Sequence, residues 1–148
     1  MAGMLVGSFL IGLISDKSGR MNAHMVAMLA YIVGGCTSAS LPADPSAFPY
    51  FVLSRFLSAI GQVGLCISCC TLAVEYTGRN KRMFCGMFHG VPFAAGGLIV
   101  GLVAWAGIRD WRTLQYSCTL PWLGLLSWYF IFPESPRWLL AKGKFLKC

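Results

Sequence analysis

The sequence predicts an all-α membrane protein with one truncated and four full transmembrane helices. Hydrophobic residues make up 57% of the 148 residues, and charged residues only 11%. An average soluble domain is about 25% charged, so these few charges could not cover a globular surface. Most of them lie in short turns between long apolar runs, as a lipid environment requires because charged side chains must leave the hydrocarbon.

Five apolar segments, separated by charged or proline-containing turns, give the order of the helices. The first has only about 14 residues, whereas a spanning helix needs about 20, so we expect it to be part of a longer helix. The helical bundle is predicted over residues 1–132, and residues 133–148 are predicted to form a cytoplasmic, basic and amphipathic tail. The predicted spans are about 1–14, 23–41, 50–76, 84–106 and 111–132.

The basic residues predict the orientation in the membrane. Nine of the twelve lysines and arginines lie in the turns after the first and third apolar segments and in the tail. These regions alternate along the chain with the turns around Asp44 and Arg109. By the positive-inside rule, the side that carries the nine residues faces the cytoplasm.

The turn at residues 12–20, which contains Gly12 and Gly19, is predicted to be a short charged loop. It begins a pattern in which each predicted cytoplasmic segment holds one acid followed by an arginine. If the helices bundle, these pairs could form a reversible latch at the cytoplasmic face, although exposed pairs contribute only about 0–1 kcal/mol each. Ordinary flanking charges are the alternative interpretation. The three pairs are Asp16–Arg20, Glu75–Arg79 and Glu134–Arg137.

Polar residues near or within the spans offer few candidates for a binding site. Arg55 is the one charge clearly inside a span, and Gln62, seven residues later, shares its helix face. An ionisable residue within a membrane is a functional candidate by default, so this pair is predicted to line a polar pathway. The alternative is that Arg55 extends toward the membrane surface. Asn22 is expected to cap the second helix.

Small residues form one continuous stripe along the span at 84–106. Such stripes let a second helix approach closely, so the stripe predicts helix packing rather than chemistry. A shorter stripe occurs in the first segment at Gly3 and Gly7. The glycines of the longer stripe are Gly86, Gly90, Gly97 and Gly101.

Other functional classes find no support in the sequence. Cys66, Cys69 and Cys70 have half the spacing of a zinc site, but no second pair or histidine partner follows, so we predict no metal. No arrangement of serine, histidine and acid indicates an enzyme, and no cofactor motif occurs. The basic residues form no continuous face of the kind that binds nucleic acid.

Several stretches together resemble one family. Residues 12–20 resemble the loop between helices 2 and 3 of the major facilitator superfamily, and residues 55–64 resemble its fourth-helix signature. Residues 75–82 are similar to the following loop. Residues 110–115 (DWRTLQ) and 133–140 (PESPRWLL) resemble the organic cation, carnitine and organic anion transporters of solute carrier family twenty-two; the second of these motifs is shared with sugar porters.

The resemblance implies helices 2–6 of the six-helix N-terminal half of a major facilitator bundle. It also implies transport of small organic ions by alternating access, with the lipid bilayer and the remainder of the transporter as partners and the plasma membrane as location. Two alternatives stay open: a truncated membrane fragment or assembly subunit that does not transport, and a sugar porter.

Overall fold

The computed structural model describes residues 1–42, 44–77, 81–88, 90–105 and 110–126, in which the regular elements are all helical. Within these residues, three helical stretches are long and apolar enough to cross a membrane: Arg20–Ser40, Pro45–Tyr76 and Met83–Trp105. The elements are α1 (Ala2–Ser18), α2 (Arg20–Ser40), a 3-10 turn (Pro45–Ala47), α3 (Phe48–Tyr76), α4 (Arg82–Phe88), α5 (Gly90–Trp105), α6 (Trp111–Thr119) and α7 (Pro121–Leu125).

The first charged turn is much shorter than predicted. Helix α1 continues through Asp16 and Lys17 to Ser18, so Gly12 lies inside the helix and the expectation that it belongs to a turn was wrong. The chain reverses at Gly19 alone, with φ 114° and ψ 158°, a conformation that only glycine adopts readily. The end of the apolar run is therefore not the end of the helix, because Lys17 is a good helix former and interacts favourably with the helix dipole in the last turn.

Asn22 does not cap the second helix, as had been expected. Helix α2 already begins at Arg20, so Asn22 lies inside its first turn. The Asn22 amide Nδ2 donates a hydrogen bond of 2.8 Å to the carbonyl oxygen of Ser18. It thus satisfies one of the carbonyls left unpaired at the end of α1.

Helix α3 is the centre of the described bundle, with α2 packed along it and α1 against it. Glycines permit this close packing in the way that small residues do in membrane bundles. A Cβ on Gly61 would lie 2.7 Å from the carbonyl oxygen of Ala27, and one on Gly7 would lie 2.8 Å from the Cα of Ile60. The buried apolar cluster between the three helices contains Ile11, Ala23, Ala27, Met28, Ile32 and Leu65.

Helices α4 and α5 lie in the segment predicted at 84–106, where one apolar helical stretch runs over Met83–Trp105. The described part of the segment predicted at 111–132 is divided into α6 and α7. Leu120, between α6 and α7, keeps helical dihedral angles, so the axis continues. The interruption has a simple cause: Pro121 has no N–H to donate to the preceding turn. The predicted tail at 133–148 lies outside the described residues.

Candidate functional site

Arg20 is the centre of a charged cluster at one end of the bundle. It is the first residue of α2, directly after the Gly19 turn. Its Nη1 donates hydrogen bonds to the Oγ of Ser15, at 2.7 Å, and to the Oδ1 of Asp16, at 2.8 Å. The predicted Asp16–Arg20 pair is therefore formed, across the turn that joins α1 to α2.

The same arginine also reaches the third helix. The Nε of Arg20 is 3.3 Å from the Oε1 of Glu75, near the end of α3. The side chain of Glu75 is 14% exposed and that of Arg20 23%, whereas that of Asp16 is 70% exposed. The contact with Glu75 is thus the more sheltered of the two ion pairs. We call Ser15, Asp16, Arg20 and Glu75 the Arg20 cluster.

The Arg20 cluster joins the ends of α1, α2 and α3. The spacing predicted that the acid–arginine pairs meet at one face of a bundle, but not that Arg20 itself contacts Glu75. The sequence paired Glu75 with Arg79 four residues later, and the structure gives it a partner 55 positions earlier in the chain. Arg79, Glu134 and Arg137 lie outside the described residues, so the second and third predicted pairs stay predictions. The sequence indicated a contact between helices only in a general way, because one guanidinium can bind two carboxylates.

Arg55 lies about two turns inside α3 and contacts another helix. Its Nη1 donates a hydrogen bond of 3.0 Å to the Oε1 of Gln115 in α6, and its guanidinium carbon is 5.5 Å from the centre of the Phe51 ring. Gln62, on the same face of α3, is exposed, as Arg55 is. The proposed role of this pair in lining a pathway stays a prediction, to which the structure adds Gln115.

The start of α6 holds the ends of α2 and α3 together. Arg112 Nη2 donates to the carbonyl oxygen of Leu41 at 2.9 Å, and the hydroxyls of Tyr116 and Ser40 are 2.7 Å apart. The ring of Trp111 packs edge-on against that of Phe51, with centroids 5.9 Å apart. Trp111 and Arg112 belong to the DWRTLQ motif, and Tyr116 follows it directly. The motif therefore indicated where α6 makes contacts, but not which residues of α2 and α3 it contacts.

The long glycine stripe has no neighbouring helix in the part of the chain that the structure describes. Nothing lies within 4 Å of the positions that a Cβ would take on these glycines, and the residues of α5 are mostly exposed. Close approach occurs instead at Gly3, Gly7, Gly34, Gly61 and Gly64, where a Cβ would meet another helix. The packing role of Gly86, Gly90, Gly97 and Gly101 stays a prediction.

The described cysteines are free thiols, and the described residues contain no group of three or more histidines, cysteines or acids that could hold a metal ion. The side chains of the Arg20 cluster interact by ion pairing and hydrogen bonding. Such contacts can break and form again when helix ends separate, without any covalent step.

Comparison with known proteins assigns the family. The sequence profile described as "Sugar (and other) transporter" matches residues 1–147. The chain belongs to the sugar (and other) transporter family. This places it in the major facilitator superfamily, as its motifs predicted, and makes it an integral membrane transporter sequence rather than an enzyme.

Similar members of this transporter family come from animals. The chain is 38% identical over 146 residues to solute carrier family 22 member 11 of Homo sapiens and 35% identical over 144 residues to the organic cation transporter protein of Drosophila melanogaster. Each match covers 97% of this chain and 25% of the relative. The predicted resemblance to solute carrier family twenty-two is confirmed, and the chain spans about a quarter of the length of these relatives.

Solved structures of a xylose transporter share the fold. The inward open conformation of the xylose transporter XylE from E. coli gives a TM-score of 0.82 at 26% identity, over 93% of this chain and 37% of that one. Its partially occluded inward open conformation gives 0.87 at 24% identity, over 98% and 38%. The predicted all-α bundle of the major facilitator type is confirmed.

Proposed function

We propose that this chain forms part of a transporter that moves small organic ions across the plasma membrane by alternating access. The observation that carries the proposal is the Arg20 cluster, in which one arginine joins the ends of three helices. Helices that rock as one rigid body must be tied together, and ion pairs at a partly exposed helix end do this reversibly. The relatives named as organic cation transporters support the class of solute.

In this mechanism the Arg20 cluster stiffens one half of the transporter at its cytoplasmic end. Glu75 and Arg20 are sheltered and hold the helices of this half together. Asp16 is 70% exposed and carries its charge at the edge of the half, where the remainder of the transporter would close against it. Only a few kcal/mol of bias separates two alternating states, so a small set of such contacts is sufficient to gate one side.

The test is charge reversal at Asp16 in the full-length transporter that contains these residues. We expect Asp16→Lys to shift the protein toward the state that is open to the cytoplasm and to lower uptake several-fold. Labelling of pathway cysteines from each side of the membrane, together with radiolabelled organic-cation uptake, measures both effects. Asp44→Lys, which reverses an acid in the turn between α2 and α3, is the matched control. Unchanged labelling and uptake in Asp16→Lys would count against the proposed gate.

The alternative of a truncated fragment or assembly subunit that does not transport has its own test. The matched relatives are about four times as long as this chain, and substrate sites in such folds lie between the two halves of the transporter. Expression of the 148 residues alone should therefore give membrane insertion without saturable organic-cation uptake. Robust uptake by these residues alone would exclude this alternative.

Sugar transport is the second candidate function, favoured by the similarity to the xylose transporter XylE. That similarity, at 26% identity, is weaker than the 38% and 35% identity to the members of the solute carrier families named above. Radiolabelled hexose uptake by the full-length transporter, compared with uptake of an organic cation in the same cells, separates the two functions.

A further inference from the structure

His24 is a titratable side chain next to the Arg20 cluster that the proposed gate does not use. It lies four residues after Arg20 in α2, so the two side chains share one helix face, a single turn apart. The Nδ1 atom of His24 and the Nε atom of Arg20 are both buried, and neither has a hydrogen-bond partner among the described residues. Because this chain itself buries both nitrogens, the remainder of the transporter cannot reach them without displacing side chains.

The opposite directions of α2 and α3 bring His24 and Glu75 toward the same level of the bundle. Side chains of a helix tilt toward its N-terminus. Helix α2 begins at the Arg20 cluster, whereas α3 ends there. The imidazole of His24 is therefore tilted toward the cluster, and the carboxylate of Glu75 is tilted back along α3 toward His24. The two helices also approach closely next to this level, since a Cβ on Gly64 would lie 2.7 Å from the Cβ of Ala27.

The electrostatic surroundings of His24 favour an interaction with Glu75. Glu75 is 14% exposed at its side chain, whereas Asp16 is 70% exposed and more strongly screened by solvent. The charge of Glu75 favours a proton on the imidazole, while burial and the positive charge of Arg20 oppose it. The described titratable groups around this end are Asp16 and Lys17 in α1, Arg20 in α2, the half-buried Cys70 and Glu75 in α3, and the exposed Lys81 after α3.

We propose that His24 binds a proton from the cytoplasm and that the protonated imidazole becomes a second positively charged partner of Glu75 on α2. The proposal rests on the proposed function and adds regulation by pH to the same cluster. Proton binding makes both ring nitrogens donors, so it adds a link between α2 and α3 and stabilises the state closed to the cytoplasm. This stabilisation is present at acidic cytoplasmic pH and is lost as the pH rises and His24 releases its proton.

The test varies the cytoplasmic pH of cells that express the full-length transporter. An ionophore that exchanges potassium for protons sets this pH from about 6 to about 8, a range that spans the ordinary titration of histidine. Pathway cysteines are labelled from the external side, and radiolabelled organic-cation uptake is measured in parallel. We expect wild-type protein to be labelled about three- to fivefold faster at the acidic end, the size of effect that one partly exposed ion pair gives.

Variants of the two partners separate proton binding from a structural role. His24→Gln and His24→Asn keep a polar side chain that cannot be protonated, so both should show the slow labelling of the high-pH wild type at every pH. Glu75→Gln removes the partner of the protonated imidazole and should also abolish the pH dependence. His89→Gln is the matched control, because His24 and His89 are the two histidines of the sequence, and it should retain the wild-type pH profile.

Three outcomes would overturn the inference. One is saturable uptake by wild-type protein with labelling that does not depend on cytoplasmic pH, which would leave the proposed function standing. Another is a wild-type pH profile in either His24 variant. The third is a wild-type pH profile in Glu75→Gln, which decides the matter even where the His24 variants fail to reach the membrane. Absence of saturable organic-cation uptake at every pH would instead refute the proposed function.

Discussion

At the scale of single residues, Arg20 shows how one side chain can connect three helices. Its guanidinium binds Asp16 and Ser15 from α1 and Glu75 from α3, while its own backbone starts α2. Because the two ion pairs differ in exposure, they should differ in strength. Exposed pairs contribute about 0–1 kcal/mol, whereas breaking a buried pair costs several kcal/mol.

The difference between the two carboxylates leads to a prediction for stability. We expect Glu75→Gln to lower the free energy of unfolding by about 1–3 kcal/mol, and Asp16→Asn by less than about 1 kcal/mol. Thermal unfolding of the purified protein in detergent at low and high salt would measure both effects. The double variant with Arg20→Gln tests the coupling, since Glu75→Gln should have little further effect once Arg20 is removed. A larger loss of stability in Asp16→Asn than in Glu75→Gln would contradict the prediction, which rests on the more sheltered position of Glu75.

Alanine substitutions at Gly19 and Gly12 can be compared to test the backbone conformation of the first turn. Gly19 has φ 114°, and a residue with a Cβ is strained by about 1–3 kcal/mol in such a conformation. Gly12 lies within α1 with nothing within 4 Å of its Cβ position. Gly19→Ala should therefore destabilise the protein, whereas Gly12→Ala should be neutral or stabilising by up to about 1 kcal/mol. Equal loss of thermal stability in the two variants would contradict the assignment of the turn to Gly19.

At the scale of helices, order and type were predictable because the signals are local. Apolar runs and the charged turns indicate where helices occur along the sequence. The partners of Arg20 and Arg55 were not predictable, because helical spacing shows which face a residue occupies but not which helix faces it. The Arg55–Gln115 contact joins residues 60 positions apart, and only the arrangement of the bundle brings them together.

The same limit applies to the glycines of α3 and α5. Both helices contain glycines at helical spacing, yet a Cβ on Gly61 would lie 2.7 Å from the Ala27 oxygen, whereas nothing lies near that of Gly97. We expect Gly61→Ala to lower the free energy of unfolding by about 1–3 kcal/mol, as overpacking does, and Gly97→Ala to leave that of the 148-residue chain unchanged. Thermal unfolding in detergent compares the two directly. A loss at Gly97 in the full-length transporter alone would confirm that the stripe packs against the remainder of the protein.

At the scale of the whole molecule, the charge distribution and the packing imply one orientation. The Arg20 cluster and Lys17 lie at one end of the first three helices, and the contacts of α6 with Leu41 and Ser40 lie at the other. By the positive-inside rule, we predict that the Arg20 end faces the cytoplasm. The proposed gate and the Arg55–Gln115 hydrogen bond would then lie in opposite halves of the membrane.

This orientation is tested by labelling the two ends of α2. In a background in which the seven native cysteines are replaced by serine or alanine, Lys17→Cys and Asp44→Cys place one thiol beside each end. A membrane-impermeant maleimide should label Asp44→Cys in intact cells and Lys17→Cys only after permeabilisation, because the basic end is retained on the cytoplasmic side. Labelling of Lys17→Cys in intact cells would show that the bundle has the opposite orientation in the membrane. The acid–arginine contacts would then close the external side of the pathway.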